Sequence, residues 1–148
     1  MGNRKNQLGI PVMVLVLGMV IAGNLDAQTN NRLNGTWVSH TVPQIEKSEV
    51  KCIFRNGDFE ISINGVTMAK GTYTTSGNKI LSNITHLHGA LFGNILESKM
   101  YTVNELKESF IGMFLTEELL LTEVAYNLSG NTLTMTTDKE GTTIFTRE

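Results

Sequence analysis

The sequence predicts an all-β fold, an eight-stranded antiparallel up-and-down β-barrel with one short amphipathic helix inserted between strands five and six. Three observations predict it. Short runs of alternating apolar and polar residues follow one another along the chain, with turn residues between them at intervals of about ten residues. One run with helical spacing interrupts the series. Eight such strands close most easily into a barrel, because closure removes exposed strand edges.

The first 27 residues differ from the rest and are predicted to be a secretory signal peptide. Arg4 and Lys5 form a short positive region, residues 10–22 are almost wholly apolar, and Ala27 offers a small residue for cleavage. The apolar run is shorter than the roughly 20 residues of a membrane span, so no stable span is expected after cleavage. An uncleaved N-terminal anchor is the alternative. We therefore expect an exported protein, periplasmic or secreted, with one barrel domain over residues 28–148.

Composition excludes some partners and one form of cross-linking. Removal of the signal peptide leaves 10 basic and 13 acidic side chains, a net charge of −3. No basic patch is evident, so nucleic acid is not an expected partner. Cys52 is the only cysteine and cannot form an internal disulfide. Its alternation with Val50 and Phe54 predicts a small buried hydrophobe rather than a reactive thiol.

The first five strands are predicted to form a meander of neighbouring antiparallel strands. Strand one covers residues 36–42 and ends before Pro43, which cannot donate to a ladder; a polar linker at 44–48 follows. The next strands are predicted at residues 49–55, 59–63, 66–74 and 79–88. Turns separate these strands at residues 56–58, 64–65 and 76–78, where a glycine supplies the positive φ.

The insertion after strand five is predicted to contain a helix. Thr102 and Glu105 have the spacing of a capping box, in which the threonine oxygen accepts from the glutamate amide. Behind them, an amphipathic helix over residues 103–115 is predicted from apolar residues at helical spacing: Leu106, Phe110, Met113 and Phe114. This helix either plugs the barrel and completes the core or forms a lid that adapts to an apolar guest.

Three further strands complete the predicted barrel, at residues 121–128, 132–137 and 142–147, with turns at 129–131 and 138–141. Alternation assigns a set of apolar residues to the interior: Phe59, Ile61, Ile63, Val124, Tyr126, Leu128, Leu133 and Met135. Thr132, Thr134 and Thr136 fall on the opposite, solvated face. The interior of an eight-stranded barrel holds either packed side chains or one small ligand, and alternation does not choose between them.

Gly35-Thr36-Trp37 at the start of the first strand, the eight strand-like runs and Arg147 in the last strand resemble the lipocalin and calycin superfamily. Residues 126–135 are similar to the ending of short bacterial exported lipocalin-like domain proteins, and the resemblance covers most of residues 33–147. It implies a structural plug, in which Arg147 packs over the Trp37 indole in a cation–π contact of about 0.5–2 kcal/mol. The helix position and the lack of a disulfide differ from those of the lipocalins.

The resemblance also implies a tendency to bind small apolar molecules. The leading hypothesis is therefore an exported protein that binds a small hydrophobic molecule in or at the mouth of the barrel. Its candidate lumen and lid residues are Phe59, Ile61, Ile63, Tyr126, Met135, Phe110, Met113 and Phe114. The competing hypothesis is an exported interaction protein with a solid barrel, whose loops, especially residues 89–101, meet a protein partner. An exposed apolar patch around Leu91, Phe92 and Ile95 would favour it.

The sequence offers no catalytic arrangement with supporting context, so neither enzymatic activity nor a cofactor is expected. Weak candidates for zinc are His86 and His88, which lie two apart on a predicted strand and would face the same side. His40 joins them only if folding brings it near. The alternative for this pair is a solvated polar rim at the strand end.

Overall fold

A computed structural model describes residues 30–43, 45, 47–137 and 141–148. The predicted signal peptide lies outside these residues, as do Gln44 and Glu46 of the predicted linker and residues 138–140 of the last predicted turn. Within the described residues the strands are β1 Gly35–Ser39, β2 Val50–Arg55, β3 Asp58–Ile63, β4 Val66–Ser76, β5 Lys79–His88, β6 Met100–Thr102, β7 Leu121–Ser129, β8 Thr132–Thr137 and β9 Gly141–Arg147. The α-helices are α1 Val103–Glu108 and α2 Glu117–Leu120, and 3-10 helices cover Asn31–Leu33, Gly89–Phe92 and Phe110–Phe114.

Eight of the strands close into an antiparallel barrel, which confirms the predicted fold class. Each strand pairs with the next in the meander from β1 to β5, β5 then pairs with β7, and β9 returns to pair with β1. The short strand β6 lies outside this circuit and pairs only with residues 86–88 of β5. It was missed in the sequence because three residues are too few to show alternation.

The hairpin turns follow the sequence prediction. Asn56 and Gly57 both have positive φ, as do Asn64 and Gly65, which is the requirement of a two-residue type I′ turn between twisted strands. The predicted end of the first strand is wrong, because β1 stops at Ser39. There the Ser39 hydroxyl accepts from the backbone amide of Thr41, a local bond that competes with the ladder.

The barrel interior and the underside of the insertion form one apolar core. Of the residues assigned to the interior, Phe59, Ile61, Val124, Leu133 and Met135 are buried, whereas Ile63, Tyr126 and Leu128 are only partly buried and pack against the core. Residues 89–120, which we call the mouth insertion, lie between β5 and β7. They add a set of buried side chains to the same core: Leu91, Phe92, Leu106, Ile111, Leu115 and Leu120.

The predicted single helix is correct at its start and wrong after Glu108. The Thr102 hydroxyl accepts from the amide of Glu105 at 3.1 Å, as a capping residue does. Ser109 then leaves helical geometry; its hydroxyl donates to the Leu106 carbonyl and accepts from the Ile111 amide. Because the 3-10 helix that follows turns different residues to the core than a continued α-helix would, Ile111 is buried and Phe110 is exposed.

Candidate functional site

The closed end of the barrel is organised around Trp37 and Arg147, which are register partners on β1 and β9. The guanidinium carbon lies 4.2 Å from the indole ring centroid, so the predicted cation–π contact is present. The same guanidinium donates to the carbonyls of Asn34 and Arg32 at 2.7 and 2.8 Å. The fully buried indole in turn donates from Nε1 to the Leu33 carbonyl. The indole nitrogen and both terminal guanidinium nitrogens therefore each have a hydrogen-bond partner.

Gly35 explains why a glycine precedes the tryptophan by two residues. Its φ is +136°, and a Cβ there would lie 2.6 Å from the Arg147 Nη1 atom. Side chains other than glycine's are strained at this φ. The glycine thus lets the guanidinium pass close to the chain on its way to the Asn34 carbonyl.

Side chains of the described residues pack the barrel lumen closely. A cavity within it measures about 10 Å³ and is lined by Cys52, Phe54, Phe59, Ile61, Ile80, Ser82, Val124 and Met135. That volume is about what one water molecule needs, so a hydrophobic guest could enter only if core side chains moved. Burial raises the pKa of the Cys52 thiol to about 12, so it stays protonated and behaves as the buried hydrophobe that the sequence predicts.

The two zinc candidates have different surroundings. His88 is buried, and its Nδ1 accepts from the backbone amide of Ala90. Through this hydrogen bond His88 caps the Gly89–Phe92 helix. His86 is partly exposed, and its Nδ1 lies 2.8 Å from the Thr85 hydroxyl. His40 is exposed beyond the end of β1. Among the described residues, no three His, Cys, Asp or Glu side chains are grouped so as to hold a metal.

A larger pocket lies on the outer wall of the barrel, across β2 to β5. We call it the outer groove; its volume is about 360 Å³. Its lining combines charged, polar and apolar residues: Ile53, Arg55, Asp58, Phe59, Glu60, Lys70, Gly71, Thr72, Thr85 and His86. Of these, sequence reasoning named only Phe59 and His86 as site candidates. The sequence features that could have indicated it are the mixed charges at outward strand positions and the glycine inside β4.

The surface of the mouth insertion carries exposed apolar side chains. Phe110, Met113 and Phe114 are 61, 77 and 62% exposed, and we call them the apolar patch. Because their side chains are mostly exposed, these three residues do not fill the lumen; the expectation that they form a lid that contacts a guest at the mouth stays a prediction. An exposed patch around Leu91, Phe92 and Ile95 would have favoured the interaction hypothesis, but Leu91 and Phe92 are buried and of these three only Ile95 is exposed.

The exposed charges next to the apolar patch are mostly acidic. Glu105 and Glu108 lie on α1, and Glu117 and Glu118 form the first turn of α2. All four are exposed, with Lys107 as the basic residue of these two helices. In the sequence, the three apolar residues therefore lie between two acidic segments.

These features define a class of protein, a closed antiparallel barrel with a filled interior and two candidate sites on its outside. Comparisons of the chain with models of protein families, with curated proteins and with solved structures find no match. No helix among the described residues is long and apolar enough to cross a membrane.

Proposed function

We propose that this protein is an exported lipocalin-like barrel that acts as an interaction module. The apolar patch docks on a partner protein that presents a basic amphipathic helix. The observation that carries the proposal is the exposure of Phe110, Met113 and Phe114 on one short 3-10 helix. Two phenylalanines and a methionine at this exposure present on the order of 300–400 Å² of apolar surface, the size of the largest and often functional patch on a monomer.

The filled lumen favours docking over the storage of a small molecule. A container of drug-sized ligands has a cavity of roughly 300 Å³ or more, whereas the lumen here has about 10 Å³. Opening it would disrupt packing among Cys52, Phe59 and Met135, each of which is buried. Large-to-small replacements in such cores cost about 2–5 kcal/mol, so displacement of these side chains by a guest is disfavoured as well.

The acidic side chains beside the apolar patch determine which kind of partner can dock there. The four glutamates beside the apolar patch repel an anionic membrane surface and attract lysine and arginine side chains. A second copy docked symmetrically through the patch would bring the same glutamates against each other, which disfavours self-association. A helix with leucines on one face and lysines along both edges satisfies the apolar patch and its acidic neighbours together.

Binding of a designed peptide tests the proposal. The probe is a fluorescent amphipathic helix of leucine and lysine, compared with the same helix in which glutamate replaces lysine. We expect the basic peptide to bind, more weakly as salt rises, and the acidic peptide to bind at least about tenfold more weakly. Replacing Phe110, Met113 and Phe114 together by serine should abolish binding. The control Ile144→Ser, which alters an exposed apolar residue on β9, should leave it unchanged.

Three outcomes contradict the proposal. If the acidic and basic peptides bind equally well, charge does not select the partner. If the serine variant binds the basic peptide as well as the unaltered protein does, the apolar patch is not the binding surface. A dimer in solution that the serine variant abolishes, or binding to lipid vesicles in preference to the peptide, assigns the patch to another occupant. If native mass spectrometry finds an apolar molecule retained in the purified protein, the function is the binding of a small molecule in the lumen instead.

A further inference from the structure

We propose that the outer groove binds a small zwitterion of about dipeptide size, with one free carboxylate and one free ammonium group. This site lies on the barrel wall and is independent of the apolar patch. Its volume of about 360 Å³ falls within the range of small-molecule sites. The proposal rests on how the groove is built, which charges line it, and which of those charges lack a partner.

One irregularity in the strand ladders lies within the groove. The β4–β5 register shifts between Lys70 and Gly71, both of which line it. Lys70 pairs with His86 and Gly71 with Ile84, so Thr85 is the extra residue. An extra residue bends its strand and increases the local twist. The bend gives an otherwise convex barrel wall its concave surface.

Gly71 leaves the groove open where the strands come closest. A Cβ at this position would lie 2.0 Å from the Asn83 carbonyl oxygen and 2.7 Å from the Phe59 ring. Packing alone therefore requires glycine here. Phe59, which is 3% exposed, is the neighbouring apolar residue of the groove lining. A ligand in the groove would find an apolar surface among the charged residues.

The charges of the groove balance. Arg55 and Lys70 face Asp58 and Glu60, two of each sign. Glu60 and Lys70 form an ion pair of 3.1 Å. Arg55 and Asp58 are register partners across the β2–β3 hairpin, yet within the described residues neither side chain forms an ion pair. One guanidinium and one carboxylate therefore remain free to bind a ligand of opposite charges.

Asp58 and Arg55 supply the two charged contacts of the groove. A ligand ammonium can donate to the Asp58 carboxylate, and a ligand carboxylate can accept from the Arg55 guanidinium. His86 and Thr85 also line the groove, with His86 Nδ1 2.8 Å from the Thr85 hydroxyl.

A ligand with a single charge fits the groove less well. A simple anion that reached Arg55 would lie near the carboxylates of Asp58 and Glu60, and a simple cation would meet Arg55 and Lys70. A zwitterion pairs with both signs at once and leaves the Glu60–Lys70 ion pair intact. Matched opposite charges, rather than net charge, therefore define the expected ligand class.

The test is a titration of isotope-labelled protein with glycyl-leucine, followed by backbone amide chemical shifts. We expect shifts confined to β2, β3, β4 and β5 around the groove. Two derivatives serve as matched probes, N-acetylglycyl-leucine, which is only an anion, and glycyl-leucinamide, which is only a cation. Each should bind about tenfold more weakly than the zwitterion, because each lacks one charge-assisted contact.

Variants locate the site and separate binding from folding. Arg55→Gln should weaken glycyl-leucine about tenfold, whereas the control Lys107→Gln, on the mouth insertion, should not change it. Thr72 is exposed and lines the groove, so Thr72→Trp should block binding while all charges remain. Equal binding of the three probes overturns the proposal. So does the absence of shifts up to tens of millimolar, or shifts confined to the mouth insertion. The basic-peptide assay reads the apolar patch, so each proposal can fail without the other.

Discussion

The two ends of the barrel differ in how completely their polar groups are satisfied. At the closed end, the indole of Trp37 and both terminal nitrogens of the Arg147 guanidinium donate to backbone carbonyls. At the mouth end, Thr122 Oγ1 is buried without a hydrogen-bond partner among the described residues. The mouth insertion also exposes three large apolar side chains. The closed end thus has the more completely satisfied polar groups, and the mouth end is where the proposed docking surface lies.

The largest expected effect is at the closed end. Arg147→Met keeps an unbranched apolar stem over the indole but removes the guanidinium, its cation–π contact and its two hydrogen bonds to the carbonyls of Asn34 and Arg32. We expect the free energy of unfolding to fall by about 2–4 kcal/mol. Urea denaturation followed by the fluorescence of Trp37, the only tryptophan, measures it directly.

The control is Arg147→Lys, which keeps the positive charge but not the fork that reaches two carbonyls. Its expected loss lies between that of the methionine variant and zero. If the lysine and methionine variants are equally destabilised, the positive charge alone contributes nothing and the loss belongs to the guanidinium fork and its two hydrogen bonds. If neither differs from the unaltered protein, the closed end is not stabilised by this pair.

The turns at the closed end were predictable because their determinants are local. Gly57 has the positive φ that its place in a predicted turn requires. The order of strands β2 to β5 follows from such turns, because each short turn forces the next strand to be an antiparallel neighbour. The contact between Trp37 and Arg147 was expected only from the resemblance to lipocalins, because the two residues lie far apart in the chain and no local pattern links them.

The mouth end was not predictable in the same way. The Ser109 hydroxyl forms hydrogen bonds with the backbone at Leu106 and Ile111, and α1 ends there. The residues that follow turn different faces to the core, so Phe110 faces solvent although helical spacing predicts it inside. The outer groove depends on register shifts beside Gly71, which arise from pairing between strands. Neither the phase after Ser109 nor the register at Gly71 is set by the spacing of apolar residues alone.

A smaller effect, of opposite sign, is expected at the mouth end. Thr122→Val replaces the buried hydroxyl without a partner by a methyl group of similar shape. We expect the protein to become more stable by about 1 kcal/mol, since a buried polar group that is unpaired costs free energy. Thermal unfolding measures the change. Thr122→Ser, which keeps the hydroxyl and loses the methyl, should destabilise instead. A loss of stability in the valine variant would mean that the hydroxyl is satisfied in solution.

The smallest expected effect separates the apolar patch from the core beneath it. Phe110→Ser, Met113→Ser and Phe114→Ser each alter a side chain that is mostly exposed, so each should change the free energy of unfolding by no more than about 0.5 kcal/mol. Ile111, on the same 3-10 helix, is 2% exposed. Ile111→Ala should cost about 2–5 kcal/mol in the same denaturation experiment.

This contrast between adjacent residues bears directly on function. Large apolar side chains that contribute nothing to folding have no structural reason to be apolar, and a binding role then accounts for them. If the three serine variants are instead as unstable as Ile111→Ala, the patch is packed in solution. Its side chains would then belong to the core, and the mouth end would be as complete as the closed end.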